Sequence, residues 1–125
     1  MKANLQTYRQ SPRKVRLLAD LIRGKKVSDA IVRLRFADKR AAPIVEKVLM
    51  SAVANASSAD LKAEDLFVKE VQVNQGVIMK RMMPRARGSG ARINKRTSHI
   101  SIILGDAKDM KVKAKRLKKV VAAKK

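Results

Sequence analysis

The sequence has no cysteine and no tryptophan, a single histidine, and only three Phe or Tyr residues: Tyr8, Phe36 and Phe67. Without cysteine there is no disulfide framework and no thiolate metal site. So few aromatics exclude a base-stacking sheet of the RNA-recognition or OB type. No apolar run approaches the roughly 18 residues a membrane-spanning helix needs. The lack of Trp and of a lipidation motif argues against an amphipathic membrane anchor. Residues 1–10 are polar and lack the apolar stretch of a secretory signal. Nothing calls for export, so the expectation is a cytosolic protein without membrane contact. Acids are the scarcest class relative to need: 10 Asp and Glu face 31 Lys and Arg, a net charge of +21 on 125 residues.

Such like charge weakens a free-standing compact state through self-repulsion. Solubility alone asks for a net charge of only about 2–8 in a small domain. A polyanion spread over the surface is the natural compensation, and nucleic acid is the densest one, each neutralised phosphate releasing counterions. The length fits one domain with a small core.

Ser11-Pro12 signals a helix start, a capping hydroxyl followed by a proline that loses no hydrogen bond. Val15, Leu18, Ala19 and Ile22 follow at helical spacing, and Gly24 supplies a left-handed stop. Ser28-Asp29 is expected to open a second helix, with Ala30, Ile31, Leu34 and Phe36 on its apolar side. Asp38 is expected to cap a third, which tolerates Pro43 in its first turn. Val45, Val48, Leu49, Ala52, Val53 and Ala56 give that helix the clearest periodicity and a central place. Residues 55–60 read as its fraying end. From Leu66 the period changes: residues 66–74 and 97–104 read as strands, the second with Ile100, Ile102 and Leu104 on one face. Residues 1–10 read as a short strand or arm. The pattern predicts an α+β fold, helices on one face of an antiparallel sheet. The expected domain is 1–105, with a basic tail at 106–125 that is disordered when unbound.

Between the two strands lies the most unusual stretch. Residues 76–96 hold seven basic residues, Lys80, Arg81, Arg85, Arg87, Arg92, Lys95 and Arg96, and no acid. A structureless loop of that length is unusual in a small domain. The simplest solution is a hairpin arm over about 76–99 that continues both strands outward and turns at Gly88-Ser89-Gly90. Each flank of about nine residues reaches roughly 30 Å. An isolated two-stranded ribbon is marginal in water, so this arm needs an external surface that carries phosphates. Arg towards the tip suits forked contacts to phosphates and bases. Met79, Met82 and Met83 are adaptable fillers, against bases or within the arm. Arg13, Lys14, Arg16, Arg23, Lys25 and Lys26 add charge to the first helix and its exit. The protein is built to be touched on several sides at once, as inside a folded RNA. An architectural DNA-binding protein with a basic β-arm and Pro84 as a wedge is the alternative.

Catalysis finds no support. His99 lacks the neighbours of a metal site or a general base, and a hydrogen bond to backbone or RNA explains it. Ser89 and Ser98 have no activating partner. Gly88 and Gly90 are turn glycines, not a phosphate loop ahead of a helix. No cofactor is expected.

Lys80-Arg-Met-Met-Pro-Arg-Ala-Arg-Gly88, followed by Arg92-Ile-Asn-Lys-Arg-Thr-Ser-His-Ile100, closely resembles the signature of the "L twenty-two" family of large-subunit ribosomal proteins, bacterial type. Lys14-Val-Arg-Leu-Leu-Ala-Asp-Leu-Ile-Arg-Gly-Lys-Lys-Val27 and Lys47-Val-Leu-Met-Ser-Ala-Val-Ala-Asn-Ala56 agree, so the similarity spans about residues 10–105. The resemblance implies three helices packed on a small three-stranded antiparallel sheet, with a long extended β-hairpin. It implies large-subunit rRNA, neighbouring ribosomal proteins and the nascent polypeptide as partners, and no stable homo-oligomer. The hairpin would line the peptide exit tunnel. Its tip would comprise Met79, Lys80, Arg81, Met82, Met83, Pro84, Arg85, Ala86, Arg87, Gly88, Ser89, Gly90, Ala91 and Arg92, near the macrolide site. Lys95, Arg96, Thr97, Ser98 and His99 join the basic residues above as implied rRNA contacts. The tail is longer than the family core, and Gly88-Ser89-Gly90 is richer in glycine than is common there.

Overall fold

The computed structural model describes residues 1–61 and 66–106. In chain order these form β1 (Lys2–Tyr8), α1 (Pro12–Ile22), α2 (Val27–Phe36), α3 (Ala42–Ser57), β2 (Leu66–Pro84) and β3 (Gly90–Asp106), with one 3-10 turn, Ala86–Gly88, joining the last two strands. The sheet is three-stranded and antiparallel in the order β1-β3-β2, which confirms the α+β expectation.

The core follows from two periodicities. Ile100, Ile102 and Leu104 alternate inward along β3, joined by Val68, Val71 and Val73 of β2 and Ala3 of β1. Onto that face pack Val15, Leu18, Ala19 and Ile22 of α1, Ala30 and Leu34 of α2, and Val45, Val48, Leu49, Ala52 and Ala56 of α3. Burying each large aliphatic side chain contributes about 1.5–3 kcal/mol. Small residues at Ala52 and Ala56, both fully buried, let α3 sit close to its neighbours.

The helix starts differ from the sequence expectations in instructive ways. At α1, Ser11 occupies the cap position, but its side chain makes no capping bond. Pro12 removes one amide from the set that needs a partner, and the Ser11 carbonyl takes the Lys14 amide at 3.1 Å. Gly24 has φ +74, as its role of helix stop requires. The α2 cap is Lys26, not Ser28, which lies inside the helix; Asp29 does sit in the first turn. The reason is a stitch to the sheet. The Gly24 amide donates to the Val68 carbonyl and the Val68 amide to the Lys25 carbonyl, both at 2.9 Å. Extended pairing thus ends at Lys26, and the helix starts immediately after it. Asp38 likewise caps nothing: α3 begins at Ala42, behind Ala41. Phe36 is not on the apolar side of α2 but 86% exposed.

Both expected strands run on into the arm, so the ladder extends from Leu66↔Asp106 to Pro84↔Gly90, with a first register shift between Val68 and Glu70 and a second further out. Asp106, expected to begin the tail, ends β3 instead. The readings offered for the rest of the tail fall outside the described residues. The register slips by one residue between Gln75 and Ile78. That bulge marks the root of the arm.

Candidate nucleic-acid interface

The root is tied at four points. The Thr97 hydroxyl donates to the Val77 carbonyl at 2.7 Å, satisfying an acceptor that the bulge turns out of the ladder. The Ser98 hydroxyl donates to the Gln10 carbonyl. The Thr7 amide donates to Nδ1 of His99 at 3.1 Å. Thr7 sits at φ +56 within the β1 irregularity. The fourth tie is steric. A Cβ on Gly76 would stand 2.5 Å from Thr97 Oγ1 and 2.9 Å from His99 Nε2, so only glycine lets β2 pass. Thr97 and Ser98 are wholly buried. Though the family resemblance implies them as RNA contacts, in this fold their hydroxyls face inward and hold the arm. His99 is half-buried and bonded to backbone.

Beyond the root, residues 80–90 are all exposed, as are Arg92, Lys95 and Arg96. The turn differs from the expected Gly88-Ser89-Gly90. The Arg85 amide reaches the Ser89 carbonyl at 2.8 Å, and the Ser89 hydroxyl donates to the Ala86 carbonyl at 2.9 Å. Arg87 and Gly88 both take left-handed backbone, φ +58 and +67. Gly90 already pairs with Pro84. The Ser89 amide also closes back on the Ala86 carbonyl at 3.4 Å, so the turn centres on Arg87 and Gly88. The sharp reversal needs two successive left-handed residues, and Gly88 is the second. Met82 covers Gly90: a Cβ there would meet its methyl at 2.7 Å. Yet Met82 is 70% exposed, so it packs within the arm and offers an apolar face outward.

The basic helix α1 stands beside the root and makes two open clefts with it. One, of about 390 Å³, is lined by Ser11, Pro12, Arg13, Arg16, Gln75 and Arg96. The other, of about 460 Å³, is lined by Arg9, Gln10, Ser11, Arg13, Lys14, Met79, Asn94, Lys95 and Arg96. Neither has an acidic lining residue. The fold thus brings Arg13, Lys14, Lys95 and Arg96 together across residues far apart in the chain. Arg9 and Asn94 are additions that the sequence pattern does not single out; the place of Arg9, directly ahead of the Ser11-Pro12 helix start, is the available signal.

Two predicted contacts are already engaged. Nε and Nη2 of Arg16 donate to the Val73 carbonyl at 3.3 and 3.1 Å. Arg23 donates to the Val71 carbonyl at 3.1 Å and pairs with Asp20 at 2.6 Å. Both arginines lock α1 to β2 through part-buried bonds, although each residue as a whole is exposed. Lys25 and Lys26 lie exposed in the stitched loop, separate from the two clefts. Among the described residues no three His, Asp or Glu side chains come close enough to hold a metal ion. No described helix is long and apolar enough to cross a membrane.

Residues 3–105 match the family described as Ribosomal protein L22p/L17e. Among curated relatives, the large ribosomal subunit protein uL22 of Staphylococcus aureus strain JH9 is 50% identical over 109 residues, covering 86% of this chain and 93% of the relative. The same protein from strains Newman and USA300 gives the same identity and coverage. The exposed acid-free arm, the basic root and this match along nearly the whole described fold converge, and the chain belongs to the ribosomal protein L22p/L17e family.

Proposed function

We propose that this chain is a structural constituent of the large ribosomal subunit in the cytoplasm, where it binds large-subunit rRNA, stabilises the subunit's assembly and lines the nascent-peptide exit tunnel with its hairpin. The observation that carries the reading is the arm. It projects beyond the hydrophobic core, exposes seven cations and no acid, and leaves Val77, Met82, Met83 and Ile93 uncovered by any packing of its own. An RNA surface satisfies all three features.

Binding works by charge and shape. The clefts at the root take backbone phosphates between α1 and the arm, where Arg13 and Arg96 serve both sides. Lys80, Arg81, Arg85, Arg92 and Lys95 extend those contacts along the tunnel wall. The turn offers Arg87 to the lumen, with the nascent polypeptide passing it. Neighbouring ribosomal proteins complete the surroundings. No reaction is catalysed.

A salt titration tests this. The purified chain should bind large-subunit rRNA with an affinity that falls steeply as salt rises, and each phosphate-contacting Arg replaced by Ala should lower the log–log slope by about 0.7–0.9. A flat response, or a preference for bent duplex DNA over the rRNA in competition, contradicts the reading.

A further inference from the structure

Phe36 is the most exposed large hydrophobic residue of the described chain, at 86%, and it lies away from the arm at the end of α2. The other two aromatics are committed elsewhere: Phe67 is buried against the sheet and Tyr8 is half-buried against the core. Phe36 is thus the one aromatic face the described surface offers. Val32, one helical turn earlier, is 53% exposed and extends the same apolar spot.

The surroundings say what covers it. Residues 33–40 carry four cations, Arg33, Arg35, Lys39 and Arg40, against one acid, Asp38, and all five are exposed. Arg35 is held by Glu46 at 2.9 Å, which leaves Arg33, Lys39 and Arg40 without an ion pair among the described residues. A protein partner would need an acidic rim around an apolar pocket. A nucleotide supplies both parts in one molecule: a flat base for the ring and phosphates for the cations. Base–aromatic stacking tolerates any sequence, because every base has a π-face.

We infer that Phe36 is a stacking post for one unpaired nucleotide of the large-subunit rRNA, whose flanking phosphates are held by Arg33, Lys39 and Arg40. This rests on the rRNA-binding reading above and adds a second contact surface, one that is not purely electrostatic. Stacking adds affinity without releasing counterions. Its loss therefore lowers binding at every salt concentration by the same factor and leaves the slope alone.

The test uses the full chain, large-subunit rRNA transcript as probe, and three variants: Phe36→Ala, Phe36→Leu and Phe36→Trp. The position is exposed, so all three should melt at the temperature of the parent. Phe36→Ala and Phe36→Leu should each lose about 5- to 100-fold in affinity with an unchanged salt slope. Phe36→Trp should bind within about 3-fold of the parent. Because the chain has no tryptophan, that variant reports directly: its emission should be quenched on rRNA addition as the indole stacks on a base. Full affinity in Phe36→Leu overturns the inference, since an apolar wedge would then suffice. So does unquenched emission with the rRNA that shifts to the blue only with the protein-complete subunit, which marks a protein pocket. If the parent chain binds rRNA and Phe36→Ala binds equally well, this inference alone fails. If the parent chain does not bind, the rRNA reading fails and takes this with it.

Discussion

Gly76 and Thr97 stand so close across the root of the arm that a Cβ on the glycine would lie 2.5 Å from the threonine hydroxyl. The same hydroxyl donates to the carbonyl of Val77, the residue after the glycine. One contact thus requires a residue without a side chain, and the other fixes the bulge it creates. Past this point the ladder of β2 is offset by one residue against β3. Side chains of the arm therefore face the sides they do because of this pair.

Replacing Gly76 by Ala should destabilise the protein by about 1–3 kcal/mol, because the Thr97 hydroxyl and the His99 ring must shift to admit the methyl. Denaturant unfolding measures it. The mid-arm amides should also lose hydrogen-exchange protection relative to those of Val71 and Val73. Unchanged stability would mean the bulge is looser than described.

Thr97→Val keeps the shape and removes the part-buried donor to the Val77 carbonyl, at a cost of about 0.5–1.5 kcal/mol. Ser98→Ala should act in the same way through the Gln10 carbonyl. Both should leave the salt slope of rRNA binding at the parental value, because both residues are buried and their hydroxyls already donate to backbone carbonyls. A loss of rRNA affinity without loss of stability would instead make these residues direct contacts.

Arg16 and Arg92 separate two roles of a cation. Arg92→Ala on the exposed arm should reduce the salt slope by about 0.7–0.9 and leave the melting temperature unchanged. Arg16→Ala should also lower stability, by about 0.5–1.5 kcal/mol, because its guanidinium ties α1 to the Val73 carbonyl. Arg16→Lys should not restore that stability, since one ammonium cannot reproduce the forked approach.

His99 accepts the Thr7 amide at Nδ1, so its ring proton sits on Nε2. Nitrogen-detected NMR of the ring should show that tautomer, and a substitution that removes the acceptor should free the Thr7 amide to exchange. A proton found on Nδ1 would contradict the described root.

Much of this fold is legible in the amino-acid sequence alone. The 3.6-residue spacing of Val45, Val48, Leu49, Ala52 and Ala56 places α3 at the centre, and alternation places Ile100, Ile102 and Leu104 inward. An acid-free basic stretch between two strands discloses the arm. Boundaries set by tertiary contacts are not legible. Ser28 has the chemistry of a cap, but pairing of the preceding loop with Val68 ends extended backbone at Lys26 and moves the start. Gly88-Ser89-Gly90 has the composition of a turn, yet Arg87 takes one of the two left-handed positions. Phe36 at helical spacing reads as core. It follows Leu34 by two residues, which carries it off the buried face of α2. Thr97 and Ser98 are polar residues in a strand and read as surface. Only the crossing of β1, β2 and β3 at the root makes them internal ties.

The most direct test of the central claim is a density map of large ribosomal subunits whose only copy of this protein is the present chain. The account predicts continuous density for the arm along the tunnel wall, with the Ala86–Gly88 turn at the lumen and rRNA phosphates against the clefts lined by Arg13 and Arg96. An arm lying on the outer surface of the subunit, clear of the tunnel, would contradict it.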